Sequence, residues 1–507
     1  MGESKNKEFY DKLTTKELEV LAEQGDVEAQ FKLGYRYRYG KKAKKNYAKA
    51  IAWYTKAAEQ GHLGAQNNLG VCYGRGIGVE KDLVKAVEWY TKAAEQGAMG
   101  AQWNLGAYYY NGIGVEKDYK KALYWFDKAV EQGDSKAQND IGSCYFYGYG
   151  VEKDLAKAVE WYTKAAEQGY AGAQFNLAQC YKDGDGIVQD YKQAVKWFAK
   201  SAEQGHPWAQ TNLGIRYELG EGTRKNCKKA IEWYAKAAIQ GADRAQFLLG
   251  LCYYYGKGVK KDLNKAAELY AKAAKQGHAG AQFELGKCYR NGKGVEKDHT
   301  KAVKWFSLSA KQGDALSQFY LGVCYERGEG VEQDFRKAAK WFIRAAEQGV
   351  PEAQYNLVGF YEHGEGVKKN QAKAIEWCVK AAEQGDEKAQ YHLGVCYYNG
   401  LGVKEDKRKA LEFFSKAAEQ KYAPALCELG DYFFYGIEVE KDDEKAKKYY
   451  KMAAEKGDLE AKQKLNFIQQ IEGSIFDESI QKEEEMEAAK NWSNIILSEM
   501  EGQDSVH

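Results

Sequence analysis

A short motif, AEQG in most copies, recurs along the 507-residue chain at intervals of 36 residues without insertion or deletion. Lys421 replaces the glycine at one step, and the glycine itself stands at Gly25, Gly61, Gly97, Gly133, Gly169, Gly205, Gly241, Gly277, Gly313, Gly349, Gly385 and Gly457. Twelve full units therefore lie between residues 26 and 457. So regular a period predicts small units that stack end to end, not separate globular domains.

The first half of each unit has the pattern of a helix. In the third unit, Ala101, Leu105 and Tyr109 fall at i, i+4 and i+8, which is one helical face. Gly106 follows the leucine and is costly inside a helix, so we expect it to permit close approach of a neighbouring backbone. Ala178 and Val358 at this position in two other units indicate that the approach tolerates some bulk. All three prolines, Pro207, Pro351 and Pro424, fall in the predicted first turn.

The second half of each unit is a glycine-containing loop followed by another helical pattern. The loop reads GxGVxxD, and in the third unit its aspartate, Asp118, is placed to cap the next helix. That helix reads KAxxWYxKAAxQG and carries a wide apolar stripe. Its lysines are expected to be solvated. Each unit is thus predicted to be a helix-turn-helix that buries its stripe only by stacking on its neighbours.

The combined pattern AxxxLGxxYxxGxGVxxDxxKAxxWYxKAAxQG covers residues 22 to about 466. It resembles the Sel1-like repeat, a relative of the tetratricopeptide class. The resemblance implies an all-α fold, a right-handed superhelical solenoid of about twelve 36-residue helix-turn-helix repeats. It also implies that the first helices line the concave side, and that the protein is an adaptor or scaffold.

The two ends of the chain depart from the repeat. We predict an N-terminal segment with a capping helix in 1–25, twelve repeats in 26–457 and a half-repeat helix in 458–470. Residues 471–507 form an acidic tail with an amphipathic stretch that contains Trp492, Ile495, Ile496 and Met500. This tail is interpreted as a cap, because terminal repeats need a polar outer face. An acidic arm for a partner, or for self-docking, is the alternative.

No residue cluster suggests catalysis, a cofactor or a metal. Seven of the ten cysteines occupy one repeat position, without CxxC motifs or clustering with histidine, which predicts helix packing and a reducing compartment. No two histidines lie three to five residues apart. The glycine runs lack the GK[ST] of a phosphate-binding loop. Some relatives are described as acting on β-lactams, but the SDN and KTG elements of serine β-lactamases are missing.

The overall charge favours a protein partner over nucleic acid. The 75 basic and 73 acidic residues leave a net charge of +2, so no strong field attracts a polyanion. The sequence has no apolar run of membrane-spanning length and no apolar segment typical of a secretion signal. These features predict a cytoplasmic protein without membrane insertion, and a monomer is the expected oligomeric state. Export by a non-classical route remains an alternative.

The candidate binding residues are those that the repeat does not dictate. If positions 4, 8 and 12 after the marker glycine face the core, positions 3, 7, 10 and 14 lie opposite. Positions 7 and 14 are rich in Asn and Tyr, which suit recognition of a peptide backbone and large, rigid contacts. The predicted groove residues are Tyr39, Asn68, Arg75, Asn104, Asn111, Tyr147, Asn176, Asn212, Tyr255, Asn291, Tyr320, Arg327, Asn356 and Asn399. The leading hypothesis is a scaffold that binds protein or peptide partners along the concave face. A structural spacer, a self-assembling element and an enzyme of β-lactam-hydrolase type are the alternatives.

Overall fold

The computed structural model describes residues 9–470, 481–488 and 490, and all regular secondary structure in these ranges is helical. Each 36-residue repeat consists of two antiparallel helices joined by a short loop. The fold is therefore an all-α solenoid of twelve repeats, as the sequence predicts. Below, repeat 1 begins at residue 26, and positions are counted from the preceding marker glycine.

The first helices of the twelve repeats are Val27–Tyr39, Leu63–Arg75, Met99–Asn111, Ser135–Tyr147, Ala171–Asp183, Pro207–Leu219, Asp243–Tyr255, Ala279–Asn291, Ala315–Arg327, Pro351–His363, Glu387–Asn399 and Ala423–Tyr435. The second helices are Tyr47–Glu59, Leu83–Glu95, Tyr119–Val130, Leu155–Glu167, Tyr191–Glu203, Cys227–Ile239, Leu263–Lys275, His299–Lys311, Phe335–Glu347, Gln371–Glu383, Lys407–Glu419 and Asp443–Glu455.

Further helices lie outside the repeats, at residues 9–12, Thr15–Glu23, 459–470 and 481–488. The Thr14 side chain caps the second of these by accepting from the Glu17 backbone amide, and the Glu17 carboxylate accepts from the Thr14 backbone amide. Residues 1–8 and most of the predicted tail, including Trp492, Ile495, Ile496 and Met500, lie outside the described residues.

On a larger scale than the single repeat, the chain divides into two compact units, Met1–Leu269 and Tyr270–His507. Within each unit, first helices pack against the second helix of their own repeat and against the second helix before it, as Met99–Asn111 does with Tyr119–Val130 and Leu83–Glu95. In this arrangement, alanine and aromatic side chains of the second helices are buried against the first helices on either side.

Local chemistry determines where each helix begins and ends. In repeat 3, the first helix ends at Gly112, whose φ of 70° is left-handed. The Asp118 carboxylate then accepts bonds of 3.0 Å from the backbone amides of Lys120 and Lys121, and so caps the second helix. Asp or Asn fills this position in every repeat. The predicted loop and cap chemistry is confirmed, and the three prolines lie in first turns.

The glycine at position 9 has a different role from the one its sequence suggests. A β-carbon placed on Gly322 would lie 2.6 Å from the ring of Phe342, at position 29 of the same repeat. Aromatic rings at position 29 similarly confront Gly34, Gly70 and Gly106. The glycine therefore makes room for an aromatic side chain, and not chiefly for a neighbouring backbone.

Repeat 10 reverses this pairing of sizes. Val358 replaces the glycine, and Cys378 stands where other repeats have Tyr or Phe. Both side chains are almost completely buried, with exposures of 1% and 0%. Val358 therefore fits because the side chain opposite it is smaller, and not because position 9 tolerates a larger residue.

A relay of glutamine side chains joins successive repeats. In repeat 3, Gln132 Nε2 donates to Gln102 Oε1 at 2.8 Å. Gln102 Nε2 donates in turn to the backbone carbonyl of Ala94, near the end of the preceding second helix, at 3.2 Å. The Ala94 carbonyl also accepts from the Gly97 backbone amide at 3.0 Å, so the glutamine bonds to its second lone pair. Repeat 12 carries Leu426 and Lys456 at the two positions, so both glutamines are replaced together.

The repeated lysines are not simply solvated. Lys164 Nζ lies 4.4 Å from the centre of the Trp161 ring. Lys157 pairs with the capping Asp154 at 3.4 Å and lies 5.5 Å from the Tyr145 ring centre. Such cation–π contacts are worth about 0.5–1 kcal/mol each at exposed sites. Their repetition along the array gives these lysines a packing role.

All ten cysteines are free, and the seven that share position 11 are buried. They are Cys72, Cys144, Cys180, Cys252, Cys288, Cys324 and Cys396. Their place in the helix-packing core agrees with the packing role predicted from their spacing.

The capping aspartates are expected to make the protein sensitive to acid. A bond from the Lys85 backbone amide lowers the pKa of Asp82, and equivalent bonds lower the pKa of Asp154, Asp298, Asp334 and Asp442. A folded-state pKa below the unfolded value means that the caps stabilise fully above about pH 3.9, the ordinary Asp value. This stabilisation is lost as the pH falls through the lower, folded-state pKa.

We therefore expect the melting temperature to fall steeply in acid, and to fall less steeply when these five residues are Asn. Asn is the matched control because it already caps this helix at Asn46, Asn226 and Asn370. Thermal unfolding measured from pH 6 to pH 2 tests this expectation. An equally steep acid dependence in the five-Asn protein would contradict it.

Candidate functional site

The predicted groove residues fall into two rows with different environments. Eight occupy position 14, the last residue of a first helix, and six occupy position 7, in its middle. Every position-14 residue in the twelve repeats is exposed. Position 7 is half-buried, except at Asn212, which is buried. Only the position-14 row is freely accessible to a partner.

Position 14 is exposed for a local reason. The next residue is the left-handed glycine that ends the helix, so the side chain at position 14 projects beyond the helix–helix contact. The predicted residues in this row are Tyr39, Arg75, Asn111, Tyr147, Tyr255, Asn291, Arg327 and Asn399. Asn111 and Asn399 each donate to the backbone carbonyl four residues earlier in their own helix.

Two asparagines of the position-7 row bridge consecutive first helices. Asn104 Nδ2 donates to Asn67 Oδ1 at 2.9 Å, and Asn176 Nδ2 donates to Asn139 Oδ1 at 2.9 Å. In both pairs the acceptor lies at position 6 of the preceding repeat. These side chains support the stacking of the repeats, in addition to any contact with a partner. Asn68 and Asn356 are half-buried in the same row.

The remaining predicted members of this row also contact their own protein. Asn212 is 6% exposed and donates to the Trp208 carbonyl at 2.9 Å. Tyr320 stacks on Phe306 with ring centres 5.5 Å apart, and Arg290 lies 5.3 Å from its ring centre. Tyr320 is therefore part of a hydrophobic cluster and not a free groove residue.

A half-buried carboxyl also lies at position 7. Burial raises the pKa of Asp140, and the bonds from Trp103 and Asn139 oppose that rise. Trp103 Nε1 donates to Asp140 Oδ2 at 2.8 Å, which joins consecutive first helices. The contact resembles the Asn104–Asn67 bridge in its placement, since it links position 7 with position 6.

Tyr147 lies at the exposed edge of an aromatic cluster. Its ring stacks on Tyr149 at 5.4 Å, and Tyr149 stacks on Tyr119 at 4.7 Å with an angle of 5° between the rings. Tyr110 meets Tyr119 and Tyr149 edge-on, at 5.4 and 5.8 Å. Tyr147 is 59% exposed at the edge of this stack.

Tyr149 and Tyr119 were not among the predicted groove residues. They lie in the loop and at the start of the second helix of neighbouring repeats, at positions 16 and 22. Loop position 16 carries Tyr in repeat 4 alone, and that departure from the repeat was the available signal. Trp208, at position 3 of repeat 6, is also 49% exposed.

The N-terminal end of the first unit has a cavity of about 540 Å³ lined by Lys32, Tyr35, Arg36, Lys41 and Lys42, among others. Lys32 pairs with Asp11 at 2.7 Å, and Arg36 donates to the Leu13 carbonyl at 2.7 Å. Both basic groups thus hold the N-terminal segment against repeat 1.

One cluster in the second unit has donor atoms suited to a metal ion. Glu362, His392 and Cys396 place one ligand atom each within 4.8 Å of one another. It is the one such group of three among the residues that the structure describes. His392 precedes the position-11 Cys396 by four residues, about one helical turn. The expectation that the cysteines do not cluster with histidine is therefore wrong for Cys396.

Comparison with known protein families gives a match over almost all of the repeat array. The Sel1 repeat model matches residues 27–62, 64–97, 100–134, 135–170, 171–206, 209–241, 243–278, 279–314, 315–350, 351–386, 387–422 and 423–458. The chain belongs to the Sel1 repeat family. The matched segments follow the helix pairs of the structure, so the Sel1 repeat and the observed packing unit coincide.

Solved structures of Sel1 repeat proteins resemble the chain. The protective antigen c5321 of uropathogenic Escherichia coli is 35% identical, with a TM-score of 0.67 over 90% of this chain and 93% of its own. A Sel1 repeat protein from Oxalobacter formigenes is 37% identical over 60% of this chain and 89% of its own, with a TM-score of 0.47. Comparison with curated proteins finds none that matches the sequence.

Solenoids of Sel1 and related repeats are generally scaffolds for protein interactions, and the family is typically non-catalytic. No helix in the described ranges is both long and apolar enough to span a bilayer. At this coarse level the structure agrees with the scaffold hypothesis.

Proposed function

We propose that this protein is a scaffold that binds an extended segment of a partner protein along the ends of its first helices. The proposed binding surface consists of the position-14 row and the aromatic cluster that includes Tyr147. The observation that carries the proposal is that position 14 is exposed in all twelve repeats and that its residue type changes from repeat to repeat. A row that packing leaves free is available for recognition.

The chemistry of this row suits a protein ligand. Within the first unit, Tyr39, Tyr147 and Tyr255 occur three repeats apart, and all are about half exposed or more. Tyrosine offers a large contact area at low conformational cost and a hydroxyl for hydrogen bonding. Exposed aromatic residues at regular spacing are expected to dominate the binding energy, with the neighbouring polar residues providing complementarity.

The half-buried asparagines have a secondary part in this proposal. Asn104 and Asn176 already use one amide donor within the protein. An asparagine amide has two donor hydrogens and an acceptor oxygen, so the remaining groups can pair with a partner's backbone. Their substitution would change both stacking and binding, whereas substitution of the exposed tyrosines separates the two effects.

The test starts with a photo-crosslinking amino acid placed at position 147 and, in a matched protein, at position 124. Tyr124 is the control because it is 54% exposed but lies on a second helix. We expect crosslinking at 147 to capture a discrete partner segment that 124 does not capture. That segment is then used as a purified ligand.

The triple variant Tyr39→Ser, Tyr147→Ser, Tyr255→Ser is expected to bind this segment at least about tenfold more weakly, because buried tyrosine anchors often contribute 2 kcal/mol or more. Its melting temperature should change little, since exposed substitutions usually fall within about 0.5 kcal/mol. Unchanged affinity in the triple variant, or an equal loss in Tyr124→Ser, would place the binding surface elsewhere.

A further inference from the structure

Repeat 11 has a departure from the repeat pattern that the scaffold proposal does not use. Position 7 is histidine in this repeat alone, at His392, where Asn is the commonest residue. Four residues later comes Cys396, the recurring position-11 cysteine. Glu362 stands at position 13 of the preceding repeat. These three residue types coincide at no other junction between repeats.

The fold brings the three side chains together on consecutive first helices. His392 Nε2 lies 3.0 Å from Glu362 Oε1. The ligand atoms of all three residues lie within 4.8 Å of one another. Ligands of a tetrahedral Zn²⁺ ion are roughly 3.3–3.8 Å apart, given bond lengths of about 2.0–2.3 Å. Small side-chain rotations therefore suffice to place the three donors around one ion.

The surroundings of the cluster leave room for a further ligand. Glu362 and His392 line a cavity of about 340 Å³, together with Glu326, His363 and Glu365. Gly359 lines this cavity, and a β-carbon added to it would have no neighbouring atom within 4 Å. Cys396 lies on the buried side, at 1% exposure. The three donors thus sit between the core and an open, polar space.

A simple ion pair does not account for this arrangement. His62 and Glu28 form a comparable pair at 3.1 Å in repeats 2 and 1, but His62 Nδ1 also caps a helix by accepting from Ala65. His392 lies in the middle of its helix and caps nothing. The pair at His392 also has a thiol within reach, which the His62 pair lacks.

We propose that Glu362, His392 and Cys396 bind a divalent transition-metal ion, with Zn²⁺ as the best match to a carboxylate, imidazole and thiol set. Cys396 releases its proton to solvent on binding, because the thiolate is the ligand. Three protein ligands leave a fourth position, which faces the cavity and takes water or a donor group from a bound molecule. An open fourth position is the arrangement of zinc sites that interact with ligands.

The probe is Zn²⁺ alone, titrated by calorimetry into the reduced, chelator-treated protein of 507 residues. We expect one equivalent to bind and the melting temperature to rise. Substituted Co²⁺ should give a thiolate-to-cobalt charge-transfer band that is absent in Cys396→Ala. Loss of a group that only orients a metal ligand weakens metal binding by roughly 10- to 100-fold. His392→Asn should weaken Zn²⁺ binding by more than this, because it removes a ligand.

His392→Asn keeps a hydrogen-bond donor at a position where five other repeats already have Asn, so its folding in the absence of metal should be unaffected. Cys324→Ala is the matched control, because Cys324 is a buried position-11 cysteine with Tyr320 in place of the histidine. The control should bind Zn²⁺ like the unmodified protein. Absence of Zn²⁺ binding, retention of binding in His392→Asn, or an equal loss in Cys324→Ala would overturn the proposal.

Discussion

Replacing Gly322 with Val is expected to destabilise repeat 9 by about 1–3 kcal/mol, the usual cost of overpacking a well-packed core. The first atom added already lies 2.6 Å from the Phe342 ring, which is completely buried. Either the ring must leave its rotamer or the two helices must separate. Hydrogen exchange of the amides in residues 315–347 measures the local free energy of opening that this change lowers.

The second change, Phe342→Cys, recreates the pair that repeat 10 has in Val358 and Cys378. Alone, Phe342→Cys removes a buried ring and should cost about 3 kcal/mol or more, close to the range for Phe→Ala. Combined with Gly322→Val, the loss should be smaller than the sum of the two single losses by about 0.5–3 kcal/mol. Additive losses would show that the two positions do not compensate, contrary to the structure of repeat 10.

Gly186→Ala is expected to cost roughly 2–6 kcal/mol, from left-handed backbone strain and steric overlap together. The residue has a φ of 70°, and an added β-carbon would overlap the carbonyl group of Leu155, at the start of the preceding second helix. Backbone atoms cannot rotate away as a side chain can, so the contact between repeats 4 and 5 must open. Urea-induced unfolding followed by circular dichroism measures the loss.

The matched change for comparison is Gly169→Ala. Gly169 also has a positive φ, of 91°, but a β-carbon there would meet nothing within 4 Å. Only the conformational cost remains, about 1–2 kcal/mol for a residue with a side chain. Lys421 already occupies the equivalent position with a φ of 63°. If both alanine variants lost the same stability, steric overlap at Gly186 would be unimportant.

The repeat architecture could be predicted because its periodicity is local. Caps such as Asp118, left-handed glycines such as Gly112 and the prolines at helix starts act within a few residues of themselves. Twelve copies then make each weak signal strong. The partner of Gly322 could not be predicted in this way, because Phe342 lies twenty residues away on another helix.

The candidate binding surface was predictable only in part, for the same reason. Helical periodicity places positions 7 and 14 away from the core of their own helix. It does not show that Asn104 meets Asn67 of the preceding repeat, or that Tyr320 packs into a cluster. Those contacts depend on how neighbouring repeats stack. Glu362 likewise lies on a different helix from His392 and Cys396, and only the stacking of repeats brings it to them.

The glutamine relay has a consequence for how such a chain can change in length. In the relay the Gln102 amide crosses to a carbonyl of the preceding repeat, and Gln66 and Gln174 make the same crossing elsewhere. Because the connecting groups are the same at these junctions, recombination that removes or adds whole 36-residue modules recreates a matched junction at the splice. Leu426 cannot make that crossing, so module 12 is not interchangeable with the others. Unequal crossing-over is therefore best tolerated upstream of it, where it would shift the spacing of the exposed tyrosines by whole modules.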